Sequence, residues 1–168
     1  MTFTPYDASV PVFAATLSDM RAWLDKAADH EAALLGARLT EDMRPLTAQY
    51  QMASDTAKNT IARLAGIAPP AMPDEEASFD ELRARMDKTI AFIRGVDPQV
   101  IADSDARTVE LKFPNGMGYR KTGGAYLTGF ALPNFFFHAT TAYAILRANG
   151  VALGKPDFLQ HLGPPEQL

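Results

Sequence analysis

The chain has 168 residues, 47% of them hydrophobic and 21% charged, with no cysteine and a net charge of −4. That length and balance suit one globular domain with a real core and argue against extensive disorder. The lack of cysteine excludes disulfides, thiol nucleophiles and cysteine metal sites, and the 16 scattered Lys and Arg residues form no basic run of the kind that nucleic-acid partners select.

No positive side chain precedes Arg21, and no apolar run nears the roughly 18 residues that span a bilayer. The expectation is one cytoplasmic domain over residues 1–168, without a leader and without membrane contact.

Tyr6, Val10, Phe13, Leu17, Met20, Leu24 and Ala27 recur at spacings of 4, 3, 4, 3, 4 and 3, the period of one buried helical face. This predicts a first helix that starts between Pro5 and Ser9, carries Pro11 in its first turn or is kinked by it, and runs to about His30 or beyond. A second helix follows Thr40-Glu41-Asp42, with Pro45 in its first turn. Its stripe is Leu46, Tyr50, Ala53, Ala57, Ile61 and Leu64, and Gly66 stops it. Pro69, Pro70 and Pro73 make the next segment a loop. The third helix opens on Ser78 with Glu81 three residues later, a capping-box pair, and buries Phe79, Leu82, Met86, Ile90 and Ile93. Gly95 and Asp97-Pro98 end it.

From about residue 97 to 123 the period changes. Val109, Leu111 and Phe113 alternate with Glu110 and Lys112, Pro114-Asn115-Gly116 reads as a turn, and Tyr119 begins a returning strand. The last helix starts either near Gly124, with a kink at Pro133 eased by Gly129, or at Pro133 itself. It is apolar over most of its circumference, from Phe135-Phe136-Phe137 to Ile145 and Leu146. It therefore sits inside the bundle or against a second subunit. Asn149-Gly150 stops it, and the tail from 151 to 168 reads as irregular. The predicted fold is all-α: a four-helix bundle with a small β-hairpin in the crossover before the last helix.

The chemistry concentrates on that last helix. Asn134, His138 and Thr141 are spaced 4 and 3 and share a face. Buried polar groups need partners, because an unpaired one costs roughly 1–3 kcal/mol. Gln51 and Asp55 on the second helix are the expected partners, with Asp55 orienting the His138 ring for acid or base work. Gln51, Asn134, Thr141 and Tyr143 are the candidate ligand-binding residues. The plainer reading is a satisfied core histidine and a solvated Gln51–Asp55 face. His30, between Asp29 and Glu31, reads as surface, and His161 lies in the tail four residues after Asp157. No phosphate-binding loop or nucleophile elbow is present in the sequence.

The segment from Phe130 to Arg147, continued by Asn149-Gly150-Val151 and by Gly154-Lys155-Pro156-Asp157-Phe158-Leu159, resembles the signature of a bacterial family catalogued only as a domain of unknown function. Ala37-Arg38-Leu39, Asp42-Met43, Pro45-Leu46, Asp55-Thr56-Ala57-Lys58 and Arg63-Leu64-Ala65-Gly66 agree with it. That family is similar to the DinB/YfiT-like superfamily. The resemblance implies an up-down-down-up bundle and a homodimer. It also implies a metal site made by a histidine on the second helix and a His-x-x-x-His pair on the last, used by some members for thiol-dependent transfer or isomerisation. Here His138 stands at the second position of that pair and Asn134 at the first, and the second-helix position falls near Gln51 or Asp55. A site so altered would hold a divalent metal only weakly, through His138, Asp55 and Asn134. Three functions follow as expectations: a small-ligand pocket in the bundle, a non-catalytic dimeric interaction module, and a degenerate metal-dependent, thiol-using enzyme.

Overall fold

The computed structural model describes residues 3–113 and 115–167. Met1 and Thr2, and the place of Pro114 in the expected turn, lie outside the described residues.

Four long helices carry the fold: α1 (Val10–Lys26), α3 (Leu46–Ala65), α4 (Phe79–Gly95) and α7 (Leu132–Ala148). Shorter pieces join them: α2 (Glu31–Leu34), α5 (Pro98–Ala102), strands β1 (Thr108–Lys112) and β2 (Gly118–Thr122), α6 (Gly123–Tyr126) and α8 (Lys155–Phe158). The helix directions follow from side-chain pairs. Arg21 and Arg83 of α1 and α4 pair with Asp87 and Asp25 across the interface, so those two helices run antiparallel. Ser54 meets Thr89, and Ala65 lies near Phe92, so α3 and α4 run parallel. Asn134 meets Thr56 and His138 meets Gln49, so α7 runs antiparallel to α3. The order is up-down-down-up.

The predicted stripes become the core. Val10, Phe13, Leu17, Met20, Leu24 and Ala27 of the first helix region are buried, as is every member of the second stripe. Tyr6 packs half-buried against them from the turns ahead of α1. The helix proper begins at Val10, one residue past the predicted window, because residues 5–9 form separate turns in which the Ser9 hydroxyl donates to the Pro5 carbonyl. It ends at Lys26, not near His30. Beyond Ala27 no residue is buried before Leu34, so nothing presses a continued helix onto the bundle, and a 3₁₀ turn (Ala28–His30) and α2 take over. Pro45 is the cap residue of α3 and lies outside its first turn, and Gly66 closes that helix at φ +72°. Ser78 caps α4 by accepting from the Glu81 N–H. The Glu81 carboxylate returns to the Ala77 N–H, one residue short of a standard capping box. Ile90 is half-buried, whereas Arg85 and Thr89 are buried on the same face.

The crossover holds the expected antiparallel hairpin, with Thr108 opposite Thr122 and Leu111 opposite Tyr119, plus the additional α5. Val109 and Leu111 point into the core, and Phe113 lies past the strand end against Tyr119. A Cβ on Gly123 would fall 2.1 Å from the Ser104 carbonyl oxygen, so only glycine lets the start of the last helix approach the turn after α5 there.

That helix starts at Gly123. Residues Leu127–Ala131 form a π segment in which the Leu132 N–H donates to the Leu127 carbonyl five residues back, and α7 continues from Leu132. Pro133 brings no N–H to the carbonyl of Gly129, and the widened turn just ahead of it accommodates the loss. Of the three consecutive phenylalanines, Phe135 is fully buried against Phe13, Phe136 is partly buried and Phe137 is 54% exposed. Most of the apolar surface of α7 is thus consumed inside the chain. The tail is more ordered than predicted. Val151 and Leu153 are buried, and α8 and a 3₁₀ turn (Gln160–Leu162) lie over α1. Trp23 fixes that arrangement, with its indole N–H donating to the Asp157 carbonyl at 2.9 Å and its ring stacked on Phe158.

Candidate functional site

The facing surfaces of α3 and α7 enclose an open cleft of about 260 Å³. Met52, Asp55, Thr56, Asn59 and Arg63 line it from α3; Tyr126, Phe130, Asn134 and His138 line it from the last helix; Leu111 enters from β1. Because the helices are antiparallel, His138 stands near Met52 and Asp55 at one end, while Arg63 and Tyr126 stand at the other.

His138 is held by Gln49, whose side-chain oxygen lies 2.9 Å from Nδ1. The amide nitrogen of Gln49 donates to the Arg44 carbonyl at 3.0 Å. That second bond fixes which way the amide faces, so its oxygen must accept, and Nδ1 of the imidazole must carry the proton. Nε2 is then a bare lone pair with no protein partner among the described residues. Burial holds the His138 pKa below its ordinary value and so favours the neutral ring. Asn134 is fixed by donation to the Thr56 hydroxyl at 2.8 Å, and its carbonyl oxygen is left without a protein donor among the described residues.

Asp55 borders two environments. Its Oδ1 accepts from Arg85 at 2.9 Å and from Lys58 at 2.8 Å, while its side chain also lines the cleft. Arg85 is 2% exposed and further reaches Asp74, Glu76, the Ser54 hydroxyl and the Pro73 carbonyl. It ties the proline-rich segment to α3 and α4. Burial works to raise the Glu76 pKa, but hydrogen bonds from Gln51 and Arg85 outweigh it and hold the carboxyl below the usual range. A larger cleft of about 610 Å³ opens between Pro70–Glu76 and α4. Its buried cation, Arg85, is already surrounded by carboxylates.

Of the residues singled out in the sequence, the structure brings His138, Asn134 and Asp55 to one cleft. The expected Asp55–His138 pair does not form; Gln49 takes the place next to the ring. Gln51 turns to Glu76, at 2.8 Å, on the α4 side. Thr141 is buried with its hydroxyl donating to the Phe137 carbonyl in its own helix. Tyr143 packs edge-on against Trp23 and Phe158, away from the cleft. His30 is exposed, and His161 pairs with the buried Asp19 and not with Asp157. Sequence reasoning missed Gln49, Arg63 and Arg85, polar side chains next to or within apolar stripes.

The donor set does not suit a divalent metal. Among the described residues no group of three or more His, Asp or Glu is placed to hold one. Asp55 is engaged by two cations, and Asn134 offers only a neutral amide oxygen. Among the described residues no helix is long and apolar enough to cross a membrane.

A crystal structure described as a DinB family member protein from Shewanella denitrificans superposes with a TM-score of 0.84 at 35% identity, covering 97% of this chain and 94% of that one. No curated protein matches the chain. The family model described as "Domain of unknown function (DUF1993)" matches residues 5–159, and the chain therefore belongs to that DinB-like family.

Proposed function

We propose that the chain binds a small polar molecule in the α3–α7 cleft, with His138 Nε2 as the acceptor that faces it. One observation carries this reading: the Arg44–Gln49–His138 relay presets the tautomer and leaves the lone pair unclaimed. His138 lines the cleft, and its Nε2 has no protein partner among the described residues. A neutral, oriented imidazole whose other nitrogen is held by an amide is also equipped to take a proton from a bound hydroxyl or amine. The cleft is slightly smaller than the roughly 300–1,000 Å³ usual for ligand pockets, which favours a compact metabolite.

A thermal-shift screen of a broad metabolite library against the wild type and His138→Gln tests the proposal. Compounds that raise the melting temperature of the wild type and lose most of that effect in the variant support it. A library with no stabilising compound, or stabilisation untouched by the substitution, contradicts it.

A further inference from the structure

The cleft is polarised along its length, and the polarity specifies a ligand class. At one end sits Arg63. Its Nη1 donates to the Tyr126 hydroxyl at 3.2 Å, and the guanidinium lies 5.9 Å from that ring's centroid. Tyr126 is itself buried and bonded to Thr60. Among the described residues no carboxylate lies within ion-pairing distance of Arg63. Arg85, by contrast, has Asp55, Asp74 and Glu76. A half-buried guanidinium with a planar fork of donors and no counter-charge matches a carboxylate or a phosphate.

The opposite end offers acceptors. His138 Nε2 is a bare lone pair, the Asn134 carbonyl oxygen has no protein donor, and both cations on Asp55 meet Oδ1, which leaves Oδ2 open. Three acceptors without donors call for hydroxyl or amine hydrogens. The two ends are linked by the fold. Asn134 meets α3 at Thr56, and Arg63 stands seven residues farther along that helix, roughly 10 Å at 1.5 Å per residue.

Building on the cleft reading above, we infer that the ligand is a short bifunctional acid, with its anionic group on Arg63 and a hydroxyl or amine at the Asp55–Asn134–His138 end. Met52, Leu111 and Phe130 supply apolar walls for the carbon chain between.

The test uses ligand-observed NMR on the full chain with defined probes. γ-Aminobutyrate, γ-hydroxybutyrate and their next longer homologues carry both groups. Butyrate lacks the donor, γ-aminobutyramide lacks the charge, and aminopropylphosphonate replaces carboxylate by phosphonate. The expected result is that at least one bifunctional acid binds, and that butyrate and the amide each bind about tenfold more weakly or worse. Arg63→Gln then abolishes the preference for acid over amide, and Arg63→Lys, which keeps the charge without the fork, restores part of it. Circular dichroism establishes that both variants are folded, and if Arg63→Gln is not, Arg63→Lys alone must still narrow the acid-over-amide ratio. Tighter binding of the phosphonate assigns a phosphate ligand and supports the anion site equally. Equal binding of acid and amide, an unchanged preference in the Arg63 variants, or no binding by any probe overturns the inference. A neutral library compound that binds the wild type and is lost in His138→Gln would leave the cleft reading intact while sinking this one.

Discussion

Gln49 and His138 form a hydrogen bond of 2.9 Å between α3 and α7, and the Arg44 carbonyl on the far side of the Gln49 amide sets its direction. A neutral amide, where a carboxylate was expected, orients the imidazole. The difference is chemical. A carboxylate would favour the imidazolium, whereas the amide oxygen accepts one hydrogen bond from a ring whose burial favours the neutral form.

Replacing that amide by an acid should reverse the effect. Gln49→Glu places a negative charge beside Nδ1 and should raise the His138 pKa above that of the wild type. NMR titration of the ring protons reads this directly. Gln49→Leu should instead leave a buried N–H without an acceptor and cost about 1–3 kcal/mol in urea unfolding.

The His138 pKa also predicts a pH dependence of stability. Burial lowers it in the folded chain from the ordinary value of 6.5. Between those two values the unfolded chain binds the proton more readily. The contribution of this group is therefore complete above about pH 6.5 and declines as pH falls through the folded value. Comparing unfolding free energies of the wild type and His138→Gln across pH 5–8 (approximate range) isolates it. Their difference should shift against the wild type on acidification, and a flat difference would contradict the assignment.

Arg85 is expected to be the most sensitive charged residue. Arg85→Ala leaves Asp55 with Lys58 alone and Glu76 with the Gln51 amide alone, and removes the tie to the Pro73 carbonyl. Breaking a buried pair costs about 3–5 kcal/mol, and the exposure of Asp74 places this case near the lower figure, about 3 kcal/mol. The segment around Pro70–Glu76 should become susceptible to limited proteolysis at the same time.

The tail contributes through aromatic contact. Phe158 stacks on Trp23 at 5.4 Å and meets Tyr143 edge-on at 5.6 Å. Phe158→Ala should destabilise the chain by about 2 kcal/mol, less than for a fully buried phenylalanine. Trp23 is the one tryptophan, so a red shift of its emission reports the loosened tail.

The helices were legible because their apolar spacings match one face of a 3.6-residue turn, and Val10 to Ala27 and Leu46 to Leu64 are buried accordingly. The site was legible only on α7. On α3 the partners were misassigned for an angular reason. At about 100° per residue, Gln49, Met52, Thr56, Asn59 and Arg63 fall on one side, and Gln51, Ser54 and Lys58 on another, with Asp55 at the border. Periodicity identifies the apolar stripe but not which neighbour flanks it on each side, so Gln51 was paired with the wrong helix. Arg85 was hidden because an arginine on a buried stripe reads as a surface residue until its carboxylates arrive from a distant loop. The tail reads as irregular in the sequence because its order comes from Trp23, more than a hundred residues away.

The proposed ligand contact is the bare Nε2 of His138 in the α3–α7 cleft. Its most direct test is long-range proton–nitrogen NMR of the histidine rings, before and after adding a compound that stabilises the wild type. The chain has only three histidines, so assignment is tractable. His138 should show an Nδ1–H tautomer and a large Nε2 shift on binding, with His30 and His161 unmoved. An Nε2–H tautomer, or binding that leaves the His138 nitrogens unchanged, would contradict it.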